Sequence, residues 1–167
     1  MFNGYEKILS WPQARRRIED LRREDRRVVF TNGCFDLLHV GHVRYLAEAR
    51  GLGDFLIVGL NSDASVTRIK GSSRPLTPEH ERAEVLAALT AVDAVVVFEQ
   101  DDPLDLITRL EPDVLVKGED WPVERIVGRE IVESRGGKVL GIPLTPGVST
   151  SAIIDRIADR ARAAGKD

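Results

Sequence analysis

Residues 26–42 read RRVVFTNGCFDLLHVGH. Val28, Val29 and Phe30 form a short apolar run without polar alternation, the pattern of a strand covered on both faces. Polar residues and glycines follow at once, and then His39 and His42, three positions apart with Gly41 between them. The chain has only three histidines, so two of them stand at the end of one strand. A helix is expected to begin near Gly41. A helix N-terminus offers free N–H groups and a partial positive charge, which suits phosphate. A glycine there lets backbone and ligand approach closely, and His39 and His42 can face the same side of the first turn. Two imidazoles can donate hydrogen bonds to a triphosphate without adding fixed charge. The competing readings are two merely structural histidines, or a metal site. The second lacks ligands, because no further His or Cys pair accompanies His-x-x-His, and no metal held by these histidines is expected.

Outward from this stretch the chain alternates. Short apolar runs stand at 28–30, 55–60, 94–98, 113–117 and 138–142, and helix-like segments at 42–50, about 63–69, 78–91, 103–110, 124–135 and about 150–164. This alternation predicts an α/β fold with a five-stranded, mainly parallel sheet and helices on both faces. In such a sheet ligands bind beyond the carboxyl ends of the strands. "TNGCFDLLHVGH", "NSDAS", "EQDD", "KGEDW" and "PLTPGVSTS" all follow strands, so the polar and glycine-rich residues are expected on one edge. "GSSRPLTPE" (71–79) reads as an active-site loop.

One domain is expected over 1–167, with an N-terminal helical extension at about 10–26. Ser10 can cap that helix and Pro12 suits its first turn. Trp11, Ala14, Ile18 and Leu21 recur at helical spacing. This apolar face either packs on the chain's own sheet or joins two copies in a homodimer. Seven arginines against four acids between Arg15 and Arg27 read as a solvated face, or else as a patch for phosphate or a partner.

The chain has 167 residues, 43% hydrophobic and 31% charged. That composition argues for a globular domain and against disorder. The net charge of −3 gives no reason to expect nucleic acid as a partner. Cys34 is the single cysteine, so no intrachain disulfide can form, which fits a reducing compartment. No apolar run approaches a membrane span and no signal peptide opens the chain, so a cytoplasmic protein is expected. Neither G-x-G-x-x-G after the first strand nor G-x-x-x-x-G-K-[ST] is present.

"NGCFDLLHVGH" resembles the G-x-F-D-x-x-H-x-G-H signature of the cytidylyltransferase-like nucleotidyltransferases. "STSAII" (149–154) is similar to their second signature, a Ser/Thr-rich turn before a helix. "NSDASV", "RPLTPEHERAEVLAAL", "VDAVVVFEQDDP" and "PDVLVKGEDW" extend the likeness to the members that adenylylate D-glycero-β-D-manno-heptose 1-phosphate. The resemblance implies a Rossmann-like nucleotidyltransferase fold and transfer of AMP from ATP to a sugar 1-phosphate. The products would be an ADP-sugar and pyrophosphate. Mg²⁺ would accompany ATP, and a separate sugar kinase would supply the acceptor.

The same resemblance implies that His39 and His42 contact the nucleotide phosphates and stabilise the transition state. Lys70 falls at a phosphate-binding lysine, or is a solvated loop residue. Thr31, Asn32, Gly33, Cys34, Phe35 and Gly41 are expected around the nucleotide. Lys117, Gly118 and Asp120 open a loop that meets nucleotide or sugar. Ser149, Thr150 and Ser151 bind phosphate or simply cap a helix. Asn61 and Asp63 are placed on the acceptor side. Arg82 serves the phosphates, ties the 71–79 loop, or forms an ion pair on its own helix. Asp36 either stands beside the nucleophile or caps the loop from a buried position. Two departures stand out: Glu119 adds a carboxylate where a small residue is common, and Ser151 replaces threonine. His80 reads as an exposed helix residue. The alternatives are a cytidylyltransferase for a polyol phosphate such as glycerol 3-phosphate, and a nucleotide-binding regulator without turnover.

Overall fold

The structure, a computed structural model, describes residues 4–164. The apolar runs form strands β1 (Val28–Gly33), β2 (Phe55–Asn61), β3 (Ala94–Phe98), β4 (Val114–Gly118) and β5 (Lys138–Ile142). They make one sheet in the order β3-β2-β1-β4-β5, with every pairing parallel. The chain runs outward from β1 to β2 and β3, then returns to place β4 and β5 on the other side of β1. The order therefore reverses beside β1, and the crevice beyond its carboxyl end is where such sheets bind ligands.

The helices are α1 (Trp11–Arg23), α2 (Val40–Arg50), α3 (Asp63–Lys70), α4 (Glu79–Ala87), α5 (Leu104–Leu110), α6 (Arg129–Ser134) and α7 (Thr150–Ala164). Successive strand residues point to opposite faces, so each strand feeds two cores. Val28, Phe30, Ile57, Val96 and Leu115 pack with Ile18 of α1 and Leu106 of α5. Val29, Leu56, Val58 and Val95 pack on the other face with Leu46 of α2 and Leu86 of α4. β2 is buried at all seven positions, which is why its sequence shows no alternation.

The N-terminal helix is a layer of this core. Ala14, Ile18 and Leu21 are fully buried, and the indole N–H of Trp11 donates to the Val97 carbonyl at 2.9 Å. Of the two roles open to this apolar face, it takes the first, packing on the chain's own sheet. Gln13 Oε1 accepts from the Ser10 backbone N–H at 2.8 Å and from its hydroxyl at 2.7 Å, closing the helix start. On the polar side, Arg15, Arg22 and Arg135 meet the Glu111 carboxylate at 3.0, 3.4 and 3.2 Å. That arginine-rich face is therefore partly an ion-pair network within the chain.

Several element boundaries differ from expectation: the helix expected at 78–91 ends at Ala87 and that expected at about 10–26 ends at Arg23, and two further differences lie nearer the loops. The segment 124–135 is a 3₁₀ turn at Val123–Arg125 followed by α6. Gly128 separates them at φ +88°, and a Cβ there would lie 2.7 Å from Ile107 Cδ1, so the chain bends where it passes over α5. β1 continues beyond its apolar run because Thr31, Asn32 and Gly33 still pair with Val58, Gly59 and Leu60 of β2.

Candidate active site

The loop after β1 is held from below. The hydroxyls of Thr31 and Tyr45 meet at 2.7 Å in the interior, tying β1 to α2. Phe35 sits at φ +43°, a left-handed conformation that a bulky residue rarely adopts. Its ring covers Gly33, where a Cβ would stand 3.0 Å from Phe35 Cε2, and lies 5.2 Å from the His42 ring. His39 is the N-cap of α2, and its carbonyl accepts from the N–H groups of His42 and Val43 at 2.9 and 3.2 Å. The imidazoles of His39 and His42 stack with centroids 3.8 Å apart and planes 18° from parallel. Gly41 makes this possible: a Cβ there would stand 3.0 Å from the His39 ring and 3.7 Å from Val148.

Burial, and secondarily the neighbouring His39, push the His42 pKa down to about 4. Burial lowers that of His39 as well. His42 is therefore neutral at pH 7. The Nδ1 atoms of both histidines and Oδ1 of Asn32 are buried with no hydrogen-bond partner among the described residues. An unpaired buried polar atom costs about 1–3 kcal/mol. Among the described residues, all the side-chain atoms of this kind stand on the stretch from the end of β1 to the first turn of α2.

From the β4 side, Lys117 Nζ donates to the Asn32 carbonyl at 3.1 Å. Burial lowers its pKa to about 8, against the opposing pull of Cys34 and Asp120. Burial also raises the Cys34 thiol, which keeps it protonated at neutral pH. Gly118 allows Asp120 to fold back, since a Cβ would lie 2.6 Å from Asp120 Oδ1 and 2.9 Å from Leu144. The turn before α7 closes over the same place. Thr150 donates from its hydroxyl to the Leu37 carbonyl at 3.2 Å, and Ser149 Oγ accepts from the Ala152 N–H at 3.1 Å. Ser149 is thus a helix cap, and the N-termini of α2 and α7 border one opening.

Two adjoining clefts meet at this loop, of about 390 and 520 Å³. They share Asn32, Gly33, Cys34, Phe35, His42, Lys70, Lys117, Asp120, Trp121 and Thr150. The narrower adds His39, Gly41, Tyr45, Gly118 and Ser149. The wider adds Asp36, Asn61, Arg74, Asp101, Asp102, Arg125 and Ser151. Lys70, at the end of α3, is exposed and bonds to no described residue, so its ammonium is available at the seam.

The remaining expected residues are elsewhere or already engaged. Thr31 lies beneath the clefts. Asp36, 5% exposed, accepts from Arg74 Nε at 2.5 Å and from the N–H groups of Leu76 and Thr77 at 2.8 and 3.0 Å. Its carboxylate ties down the 71–79 loop. Arg82 has no exposed side-chain surface. It donates to the carbonyls of Thr77, Cys34 and Asn61 at 2.9, 2.6 and 2.9 Å and to Asp63 Oδ1 at 2.7 Å. Arg82 and Asp63 line neither cleft. In this structure they brace the site, with every nitrogen of the guanidinium bonded within the chain. Asn61 reaches the wider cleft while donating to Ser65 Oγ at 2.9 Å. Glu119 is exposed and turns toward β5, its Cγ 2.9 Å from where a Cβ on Gly141 would be. It adds no carboxylate to either cleft. His80 is exposed on α4, away from both clefts, as expected.

The sequence reading passed over Trp121, Arg74, Asp101, Asp102 and Arg125. An exposed tryptophan in "KGEDW" and the paired acids of "EQDD" follow strands, which is a usable signal. Arg74 stands within the loop already singled out. Arg125 carried none, because it was placed within a continuous helix.

Comparison with known proteins agrees with this geometry. The Bifunctional protein HldE of Syntrophotalea carbinolica is 61% identical over 143 residues, which is 86% of this chain and 29% of that protein. The HldE of Rhodopseudomonas palustris strain TIE-1 is 59% identical over 152 residues, 90% of this chain and 31% of its own length. This chain therefore spans under a third of either relative. Among solved structures, the lipopolysaccharide core biosynthesis protein from Thermoplasma volcanium aligns at a TM-score of 0.58 with 26% identity, over 72% of this chain and 97% of that one. Pantoate-beta-alanine ligase from Francisella tularensis shares the fold at a TM-score of 0.59 and 15% identity, over 81% of this chain and 66% of its own. The family described as cytidylyltransferase-like matches residues 30–156. That span runs from β1 into α7 and takes in both loops that border the clefts, so the chain belongs to the cytidylyltransferase-like family.

Proposed function

We propose that this chain transfers AMP from ATP to D-glycero-β-D-manno-heptose 1-phosphate, giving ADP-heptose and pyrophosphate. The observation that carries the reading is the loop whose buried His39, His42 and Asn32 atoms lack partners, between two helix N-termini. Identity of about 60% to proteins named HldE supports the choice within the family. The reading treats residues 1–167 as one working unit, because α1 is part of its core. An upstream kinase would make the sugar phosphate, and the cytoplasm is the setting where ATP is available. No helix among the described residues is long and apolar enough to cross a membrane.

A phosphate monoester has a second pKa near ~6, so the acceptor oxygen is mostly ionised at neutral pH. It needs no general base. That oxygen forms a bond to the α-phosphorus of ATP while the bond to the β-phosphate oxygen breaks, and pyrophosphate leaves. The chain's task is to align the partners and to stabilise charge on the α-phosphate and the leaving group. Neutral His39 and His42 would donate to phosphate oxygens, and Lys70 and Lys117 would supply positive charge. ATP would enter as its Mg²⁺ complex, with the ion held largely by phosphate oxygens. No three metal-ligating side chains converge among the described residues.

The test is pyrophosphate release from a matrix of nucleoside triphosphates and phosphorylated acceptors. ATP with heptose 1-phosphate should give the highest kcat/KM. CTP with glycerol 3-phosphate as the best pair would leave the family reading intact and overturn the heptose assignment. Nucleotide binding without pyrophosphate from any pair would favour a regulator.

A further inference from the structure

Trp121 remains 53% exposed while lining both clefts. Its backbone N–H donates to the Gly118 carbonyl at 3.1 Å, but its indole N–H bonds to no described residue. The chain has one other tryptophan, Trp11, and that indole is bonded within the fold. An indole left in water beside a polar opening is an unused apolar surface of the kind that binding sites keep for a flat partner.

We propose that Trp121 is the platform on which the sugar ring of the acceptor stacks, with Asp101 and Asp102 taking its hydroxyls. This rests on the adenylyltransferase reading above. The residues common to both clefts include His42, Lys70 and Lys117, so the reacting phosphates belong at the seam. A sugar 1-phosphate with its phosphate there must extend its ring into one cleft. The narrower one is bordered by the two helix N-termini and by apolar Leu144 and Val148, which suits the nucleotide. The wider one carries the carboxylates of Asp101 and Asp102, which repel a polyphosphate but accept hydrogen bonds from hydroxyls. Asp101 Oδ1 is held by Arg68 Nε at 2.6 Å and Asp102 Oδ1 by the Leu104 N–H at 2.9 Å. The second oxygen of each is bonded to no described residue. The C–H face of a pyranose carries slight positive charge and packs on the negative face of an aromatic ring.

The test uses the Trp11→Phe protein, in which Trp121 is the only fluorophore of its kind. Heptose 1-phosphate should change its emission, added alone or after saturation with α,β-methylene-ATP. Inorganic phosphate and the ATP analogue alone should not. In steady-state assays Trp121→Ala should raise KM for the sugar phosphate about tenfold, equivalent to about 1.4 kcal/mol. KM for ATP should stay within about twofold, Trp121→Phe should recover most of the loss, and Asp101→Asn with Asp102→Asn should again raise only the acceptor's KM. Emission that responds to the ATP analogue alone, with KM for ATP rising in Trp121→Ala, would assign the indole to the base and overturn the proposal. Unchanged acceptor KM in Trp121→Ala, with normal pyrophosphate release by the wild type, would sink the platform and leave the reaction standing. No release with any sugar 1-phosphate would sink the reaction, and an absent emission change with those compounds would then sink the platform as well.

Discussion

His42 is held in a state that its ordinary chemistry would not give it at mildly acidic pH. Burial favours the uncharged ring, so its pKa falls from 6.5 to about 4. The sign for stability follows from proton counts. Between those values the unfolded chain binds a proton that the folded one does not, so this group's contribution is complete above about pH 6.5 and is lost as pH falls toward about 4. A proton NMR titration of the free protein should place the His42 midpoint near 4, and bound triphosphate should move it upward, because nearby anionic charge favours imidazolium. A free-state midpoint near the ordinary histidine value would mean that burial does not hold the ring neutral at mildly acidic pH. In kinetics, His42→Ala should lower kcat by about 10²–10³, the usual effect of deleting a donor aimed at transition-state charge. His39→Ala should change KM and kcat together, as a contact made in both states does. Near-normal kcat in His42→Ala would refute the assignment. The pair itself was legible in H-x-G-H spacing. The stacking of the rings and the orphaned nitrogens were not, because they depend on Phe35 closing on His42 and on the His39 ring packing over Gly41.

At the scale of elements, the site is held together by two buried ionic side chains, Arg82 and Asp36, for each of which the sequence leaves both a structural and a substrate-facing role open. Arg82 lies in the charged run "EHER" at the start of α4, where an ion pair on its own helix is the plain structural reading. It is buried because its partners arrive from the loop after β1, from β2, from α3 and from the 71–79 loop, one of them 48 positions away in the chain. No local pattern encodes such a meeting. Arg82→Met would leave the carbonyls of Thr77, Cys34 and Asn61 without this donor. A buried carbonyl left without its donor costs about 1–3 kcal/mol, while Asp63, its side chain 42% exposed, falls back on water. Lysine should rescue little, because a single ammonium cannot reproduce the guanidinium fork. Asp36→Asn should act more locally, releasing Arg74 and loosening the 71–79 loop. Urea denaturation should show a large loss for both Arg82 variants. Limited proteolysis should show faster cleavage near 71–79 in Asp36→Asn, with a smaller drop in Tm. An Arg82→Met protein as stable as wild type would mean that its bonds do not brace the site.

For the molecule as a whole, the parallel sheet was legible because strands buried on both faces must be apolar throughout, and the five runs are. The strand order was not, since any run can in principle neighbour any other; only the clustering of polar loops at carboxyl ends hinted that they converge. The role of α1 was harder still. Its amphipathic pattern fits a helix on its own sheet as well as one on a second copy, and the choice depends on whether a sheet face stands open nearby. One does: without Ala14, Ile18 and Leu21, the face carrying Phe30, Ile57, Val96 and Leu115 would meet water. Ile18→Ala should therefore cost about 2–5 kcal/mol, the range for emptying a buried aliphatic site, and a chain lacking residues 1–26 should fail to unfold cooperatively. α1 lines neither cleft, so folded Ile18→Ala protein should keep wild-type kcat and KM. Saturating ATP should add the same increment of stability to both proteins, since that increment depends only on ligand concentration and Kd. The decisive measurement is urea unfolding with and without ATP. A loss below about 1 kcal/mol for Ile18→Ala would make α1 an appendage, whereas a smaller ATP increment in the variant would mean that the helix reaches the site through the core.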